Sequence, residues 1–450
     1  MKRRNFIKIS TAASAFLATN SLFAFQNSDD LNNNPDNLID PLIPIRIYEN
    51  HEEEIVSQMI ELRNRYGFRR FMLLGPNKTV RFSGFPGPEV YTDIGERILR
   101  IKNKLAPYDI EVGWECSATI KHGPGKPYQF LTGLDGKVSE ISFCPLDPDF
   151  REVLSNNVSS VVSIANPFMV IMEDDYTLRH AGGFGCFCPL HLEGFAKRQH
   201  HYYSREDLFD LFSKVSPESI RLRRAWAELS RDSLAGLATL IRQRVDKIAP
   251  ETRILLCQPG SADFEGDLTE AVTKAFAGKT RPAVRLYGTD YGKDDAENMP
   301  QTIFHALYGS QHLPADFELY HESDTFPHTR FFMSSAKIKS LMTAAFAYGI
   351  DDSRYHPIQN TDNPLEDVGY SNMYAQEIKR FNALKKAVKD CTVDGCEIMY
   401  DPFEHIAEAY RKGNRRYAWA NVTGRLGIPH TSSNGKVKMV SGSTINIMSD

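Results

Sequence analysis

The sequence predicts an α/β protein built on a (β/α)8 barrel, and three observations carry that expectation. From Pro44 onward, short β-branched or aromatic runs alternate with longer amphipathic segments, the pattern of βα units around a parallel sheet. Eight such runs occur, whereas a doubly wound open sheet usually stops at about five to seven strands. No G-x-G-x-x-G follows the first run and no Walker-type G-K-[ST] occurs with its glycine spacing, which leaves nucleotide binding without support.

Taken in order, residues 1–25 read as a leader. Arg3-Arg4-Asn5-Phe6-Ile7-Lys8 precedes a weakly apolar run from Ile9 to Phe25, the arrangement of a twin-arginine export signal, and the protein is expected to be periplasmic or extracellular. Leu22 stands where a small residue is wanted before cleavage, so an uncleaved membrane tether stays open. Residues 26–40 are rich in Asn and Asp and poor in apolar side chains, the composition of a linker. The barrel is expected over residues 41–392. Its strands are expected at Ile45 to Tyr48, Arg70 to Leu74, Ile110 to Trp114, Phe168 to Met172, Arg253 to Cys257, Ala283 to Tyr287, Phe317 to His321, and around Tyr348 to Tyr355. Helical patterns between them include Glu52 to Tyr66, Thr92 to Leu105, Arg221 to Ile248, Leu268 to Ala277 and Ser335 to Phe346. The stretch from Ala181 to Ser219 is too long for a plain connection and reads as a loop with short helices over the barrel mouth. Residues 393–450 read as a small β-rich tail, with strands expected at Gly395 to Pro402, Tyr417 to Val422 and Val437 to Ile447.

Composition narrows the partners. The 450 residues hold 42% hydrophobic and 24% charged side chains, enough for one large core. The 53 basic and 57 acidic residues are well mixed, giving a net charge of −4 and no basic stripe for nucleic acid. A homo-oligomer is left open.

Barrel enzymes carry their catalytic groups where strands end. The fourth run ends in Glu173-Asp174-Asp175-Tyr176 and the seventh in Tyr320-His321-Glu322-Ser323-Asp324. Two carboxylates so placed are what a glycosidase needs, one to protonate the leaving oxygen and one to attack the anomeric carbon. Acids after a strand also cap helices, and for Asp174 that reading stays open. Glu318, Tyr320 and Glu322 share one strand face by alternation, which singles out Glu322 as the nucleophile, whereas His321 should face outward. Near other strand ends, Trp114, Glu115, Tyr287, Asp290, Tyr355 and His356 could cradle a sugar, as could Tyr320 within its strand and Arg179 and His180 after the fourth run.

Cys186-Phe187-Cys188-Pro189-Leu190-His191 sets two thiols and an imidazole at metal-binding spacing, although a buried pair or a disulfide with Cys144 or Cys116 is the alternative. These motifs, with Phe143-Cys144-Pro145 and Pro148-Asp149-Phe150-Arg151 upstream of the fourth-strand acids, resemble the family-42 β-galactosidases and their relatives in glycoside hydrolase clan A. The resemblance covers roughly residues 100 to 200, with a looser echo at Glu322. It implies a structural zinc held by Cys144, Cys186, Cys188 and His191. It also implies a retaining β-glycosidase acting on a β-linked hexoside, galactoside or mannoside. Asp174-Asp175 stands where that family has Asn-Glu, so the resemblance aligns the acid/base with Asp175, and Glu173 is the alternative with the longer side chain. The departure also sustains a second reading, a catalytically silent carbohydrate-binding barrel. A third, a catalytic metal at the cysteines, is disfavoured because a closed four-ligand sphere leaves no open position.

Overall fold

The computed structural model describes residues 39–46, 51–76, 85–121, 128–179, 185–214, 216–288, 299–326, 328, 333–358, 363–399, 418–433 and 446–447. The expected leader, nearly all of the linker, His180 and Asp290 lie outside the described residues. The first half of the chain runs β1 (Leu42–Ile45), α1 (Glu52–Tyr66), β2 (Arg70–Gly75), α2 (Pro88–Leu105) and β3 (Glu111–Cys116), then a hairpin of β4 (Phe130–Thr132) and β5 (Val138–Phe143). Next come α3 (Pro148–Ala165), β6 (Met169–Met172), α4 (Pro189–Gln199), α5 (Arg205–Phe212) and α6 (Pro217–Asp246). The second half continues through β7 (Arg253–Cys257), α7 (Leu268–Ala277), β8 (Ala283–Leu286), α8 (Met299–His312), β9 (Glu318–Ser323), α9 (Ser335–Ala347), β10 (Asp352–Tyr355) and α10 (Gly369–Val388). A terminal unit follows with β11 (Cys396–Met399), α11 (Ala418–Arg425), β12 (His430–Ser433) and β13 (Asn446–Ile447).

Eight parallel strands close in the order β1-β10-β9-β8-β7-β6-β3-β2, the (β/α)8 barrel that the sequence predicts. Alternation divides each strand between two cores. Leu42, Met72, Met169, Ile171, Leu255, Cys257, Ala283 and Tyr320 fill the barrel interior, while residues such as Ile43, Phe71, Val170, Ile254 and Val284 pack outward against the helices. The interior floor is ionic. Arg70 holds Asp352 at 2.8 Å, Arg253 pairs with Glu318, and the Tyr320 hydroxyl donates to Glu318 at 2.9 Å. Glu318 is thus an inward acid with a structural task, neutralised where burial would otherwise be costly.

Several element bounds differ from expectation. β1 begins three residues earlier than the expected Ile45, because the wholly buried Leu42–Ile45 segment pairs in register with Arg70–Leu73. β10 starts only at Asp352, since α9 runs on to Ala347 and Gly349 turns the chain at φ +83. The hairpin β4–β5 is absent from the sequence reading, although Asp135-Gly136 at its tip is a strong turn signal and Gly136 adopts φ +83. In the tail, Ala418–Arg425 is a helix where a strand is expected over Tyr417 to Val422. Helical spacing lets α11 bury Ala420 against Phe304, Leu307 and Ile398 while leaving Trp419 and Val422 exposed. β11, β12 and β13 form a parallel sheet in the order β12-β11-β13. It is bonded to α8 through Gln311 to Thr431 at 2.7 Å and His312 to Ser432 at 3.0 Å.

The expected elaboration over Ala181 to Ser219 resolves into α4, α5 and the start of α6. Phe187 stacks on Trp226 of α6 with ring centroids 4.3 Å apart, and Phe195 and Phe212 close a satellite core around the same indole. Among the described residues, no helix is long and apolar enough to cross a membrane.

Candidate active site and metal centre

Four charged side chains inside the strands form the base of the barrel mouth. Glu322 on β9 lies directly opposite Arg354 on β10 in the register, and Arg285 on β8 lies opposite Cys257 on β7. Glu115, Arg285, Glu322 and Arg354 are each almost fully buried, so their charges must be answered locally. They are answered in two chains. In one, Arg285 Nη1 is ion-paired with Glu322 at 2.5 Å and Nη2 donates to Asp174 at 3.2 Å, while the Gly288 amide donates to the second Glu322 oxygen at 3.1 Å. The two ends of one guanidinium therefore hold a carboxylate from β9 and one from the loop after β6. In the other, Arg354 grips Glu115 with two bonds of 2.6 and 3.1 Å and reaches Asp324 at 2.9 Å.

Asp324 passes that second chain to two histidines. His328 Nε2 lies 2.5 Å from its Oδ1, and His356 Nδ1 lies 3.8 Å from its Oδ2. Burial would raise the Asp324 carboxyl, yet the charge and hydrogen bond of His328, with those of His356, hold it well below the usual carboxylate range. His356 is pushed down to about 3 by burial, with His328 repelling its proton, so its imidazole is neutral. Asp324, His328 and His356 bring one donor atom each close enough for a metal ion. Their rings argue otherwise: they stack at 3.7 Å with planes 20° apart. Two imidazoles bonded to one ion must both point their planes at it, and nearly parallel rings at that spacing cannot. Asp324 is hydrogen-bonded to His328, on whose ring that of His356 stacks.

The acids after β6 diverge. Asp174, 26% exposed, turns inward to Arg285. Asp175 turns to Lys121, whose Nζ lies 2.9 Å from Oδ1. Glu173 is half-buried, and its carbonyl accepts from the Tyr176 amide at 3.0 Å. All three keep carboxylate oxygens within 4.8 Å of one another. Of the acids read from the sequence, Asp174 is the one that shares a cation with Glu322.

Several residues read as sugar-facing point elsewhere. Trp114 faces the helical shell, edge-on to Tyr91, and donates to the Gly75 carbonyl at 3.1 Å. Tyr355 also faces the shell, where its hydroxyl donates to the Tyr370 carbonyl at 2.8 Å. Both lie one residue out of phase with the inward set, because β3 and β10 place Glu115 and Arg354 inside. Tyr320 does face inward but one layer below Glu322, engaged with the floor. Tyr287 stays half-buried at the end of β8, its ring beside Gly260 and 5.3 Å from His305. Arg179 is exposed and His356 sits at the mouth. Arg285, Arg354, Asp324 and His328 escape the sequence reading as site residues. The signal for the two arginines is a charge inside an otherwise apolar strand pattern.

Beside the mouth, Cys144, Cys186, Cys188 and His191 converge, all buried, with donor atoms within 4.8 Å of one another. Cys144 follows β5, and Cys188 occupies the N-cap of α4, where it makes no capping bond. His191 lies in the first turn of that helix, which Pro189 opens. Cys144 and Cys188 sulfurs are 3.6 Å apart, far beyond the roughly 2.05 Å of a disulfide. The His191 Nδ1 lies 3.3 Å from Cys144 and 3.6 Å from Cys188. Tetrahedral zinc with thiolate and imidazole ligands spaces its donors about 3.5–3.8 Å apart. The far ring nitrogen of His191 meets Ser233 at 3.2 Å, the outer partner that fixes a metal-binding imidazole. Hydrogen bonds from Cys144 and Cys186 hold the Cys188 thiol far below its ordinary value, while burial and the neighbouring Cys186 and Cys188 push the Cys144 thiol well above it. The four residues can hold a metal ion.

No protein-family model matches the sequence, and no curated protein matches it. Among solved structures, the fold is similar to a β-galactosidase from Bacillus circulans sp. alkalophilus, at 12% identity and TM-score 0.58, covering 87% of this chain and 65% of that one. It is similar to the β-galactosidase of the psychrophilic Marinomonas ef1 at 11% identity and TM-score 0.58, covering 87% and 69%. A third, a GH42 β-galactosidase from G. stearothermophilus, matches at 13% identity and TM-score 0.54, covering 87% and 65%. The chain spans 65% of the length of the first of these. Its (β/α)8 barrel thus resembles those of family-42 β-galactosidases in fold.

Proposed function

We propose that the protein is a retaining β-glycosidase acting on a β-linked hexoside, galactoside or mannoside, with Glu322 as nucleophile. The observation that carries this reading is Arg285 holding Glu322 of the seventh barrel strand and Asp174 of the fourth on one guanidinium. One guanidinium thus links acids from the two strand ends that a two-carboxylate glycosidase uses. Glu322 attacks the anomeric carbon while a fourth-strand acid protonates the departing oxygen. The glycosyl group is left bonded to Glu322. Water then attacks C1 from the face the leaving group vacated, giving its proton to the now-ionised fourth-strand carboxylate as the C1–O bond to Glu322 breaks, and the configuration is retained. Asp175 and Glu173 are the candidates for that acid, and Asp174, which shares Arg285 with Glu322, is a substrate-binding group. A cationic clamp on the nucleophile also keeps it ionised for attack.

The Cys144–Cys186–Cys188–His191 set takes zinc in a structural role, since its closed donor sphere leaves no position for substrate. Residues 1–25 direct export by the twin-arginine route.

The test is chemical rescue. Glu322→Gly should lose nearly all turnover of aryl β-galactosides or β-mannosides. Azide should restore it by filling the vacated space and giving the α-glycosyl azide. Wild-type-like turnover in that variant removes the nucleophile, and absence of turnover in the unaltered protein across aryl β-hexosides favours a silent carbohydrate-binding barrel.

A further inference from the structure

Behind the fourth-strand acids lies a carboxyl group that the proposed reaction does not use. Glu265 sits on a 3-10 turn, Ala262–Glu265, between β7 and α7, and no part of it is exposed. Its oxygens meet Thr177 Oγ1 at 2.8 and 2.9 Å, and Oε1 accepts from the Leu178 amide at 2.5 Å. Thr177 Oγ1 in turn lies 2.9 Å from Ser261 Oγ and accepts from the Arg179 amide at 3.0 Å. Among the described residues, no cation touches this carboxyl. Its hydrogen-bond partners among the described residues, Thr177 and Leu178, are neutral, and the network can close around a protonated acid. The acid then donates to Thr177, Thr177 donates to Ser261, and Leu178 donates to the carbonyl oxygen. An ionised carboxylate at the same place would be a buried charge without a counter-ion.

We infer that Glu265 is a positioning residue which, as a neutral carboxylic acid, ties the acid-bearing loop after β6 to the loop after β7. The segment it grips, Thr177–Leu178, begins two residues beyond Asp175. Tyr176 between them is pinned as well, its hydroxyl donating to the Leu234 carbonyl of α6 at 2.8 Å. Glu173, Asp174 and Asp175 are thereby presented from a segment anchored on two neighbouring elements. Burial pushes the Glu265 carboxyl up to about 8. The charged groups around it are Asp263 on its own turn and Lys121 from the segment after β3, which also holds Asp175. Asp267, next along, is pushed up to about 7 by burial and faces Arg231 of α6. When Glu265 ionises on the alkaline side, the tether weakens and the acids lose their placement. The kinetic part of this inference rests on the proposed glycosidase reading; the structural part does not.

The experiment compares the full-length protein with Glu265→Gln and Glu265→Ala. Glutamine keeps shape and neutrality, accepting from Leu178 and donating to Thr177, and cannot ionise. Melting temperature is measured from pH 6 to pH 10. The unaltered protein should lose stability as pH rises from the ordinary 4.5 toward about 8 and level off above it, and the Gln variant should lose distinctly less below pH 8. Asp267 is present in both, so the contrast isolates Glu265. On an aryl β-glycoside, Gln should keep most of the neutral-pH kcat and extend it to higher pH. Ala should cut kcat about tenfold at every pH with KM little changed, the cost of a misplaced catalytic group. Identical losses of stability in the unaltered and Gln proteins overturn the inference, as does a Gln variant as impaired as Ala. If the unaltered protein turns over no glycoside, the glycosidase reading fails, and the melting curves still decide the tether.

Discussion

A guanidinium shared by two acids makes Arg285 the residue on which the mouth depends most. Removing it takes the ion-pair partner from Glu322, a buried carboxylate that also accepts from the Gly288 amide. Arg285→Ala should therefore lower kcat on aryl β-glycosides by about 10²–10³-fold, the scale of losing one preorganised electrostatic partner. Arg285→Lys, which cannot span two carboxylates, should recover only part of that loss. Steady-state kinetics read both, and an alanine variant of undiminished kcat would contradict the clamp. The three fourth-strand acids separate by leaving group. Alanine at the true acid should cripple hydrolysis of unactivated glycosides yet spare the first step on a dinitrophenyl glycoside, because a good leaving group departs unprotonated. That contrast is expected at Asp175 or Glu173, and finding it at Asp174 or at none of the three would overturn the assignment. Asp324 gives a pH test. Its carboxyl is depressed in the folded protein, so its contribution to stability is present at neutral pH and is lost as pH falls below the ordinary 3.8. The Tm gap between the unaltered protein and Asp324→Asn should be widest near pH 7 and shrink below about pH 4. A gap that stays constant would show that Asp324 does not hold His328 and Arg354 as an ion. At this scale the sequence told which strand ends carry acids, through period-two alternation at Glu318, Tyr320 and Glu322. It could not tell which inward charges neutralise one another. Glu115 meets Arg354 across 239 residues of sequence, a pairing only the closed barrel creates.

Among the elements, the hairpin β4–β5 and helix α4 are joined at the cysteine–histidine set. Asp147 reinforces the joint by capping α3 at the Phe150 amide and accepting from the Gln129 amide of the hairpin. Purified protein prepared without chelator should carry about one equivalent of zinc. Stripping the metal, or Cys188→Ser, should lower Tm by several degrees and open residues 128–200 to proteases, since ligand binding is coupled to local order. The kcat of protein that remains folded should change less. Less than about half an equivalent, or cysteines found in disulfides, would count against the site. Phe187 and Phe195 alternate with the ligands and anchor the same segment on Trp226. The ligand spacing was legible because Cys186, Cys188 and His191 are adjacent in sequence. The hairpin was not, because its strands are short and its register shifts between Phe130 and Thr132.

For the molecule as a whole, the alternation of strand and helix was enough to read the barrel, since a parallel sheet buried on both faces leaves near-continuous apolar runs. The tail was harder. Ala418–Arg425 mixes β-branched and aromatic residues with alanines, and only its packing on α8 selects the helix. That packing is testable: Ile398→Asp would set a charge among Phe304, Leu307 and Ala420. The expected result is a separate, earlier loss of the terminal sheet in hydrogen exchange while the barrel strands stay protected; a simultaneous loss of both would make the tail part of one cooperative unit. A final consequence concerns the order of assembly. Barrel closure joins Asp40 to Asp352, 312 residues apart, and must wait for nearly the whole chain to leave the ribosome. The cysteine–histidine set spans only residues 144 to 191. A metal ion can be captured there by a chain less than half built, closing a short loop at small entropic cost. The fourth βα unit, with the acids that β6 presents, would then reach the closing barrel already shaped.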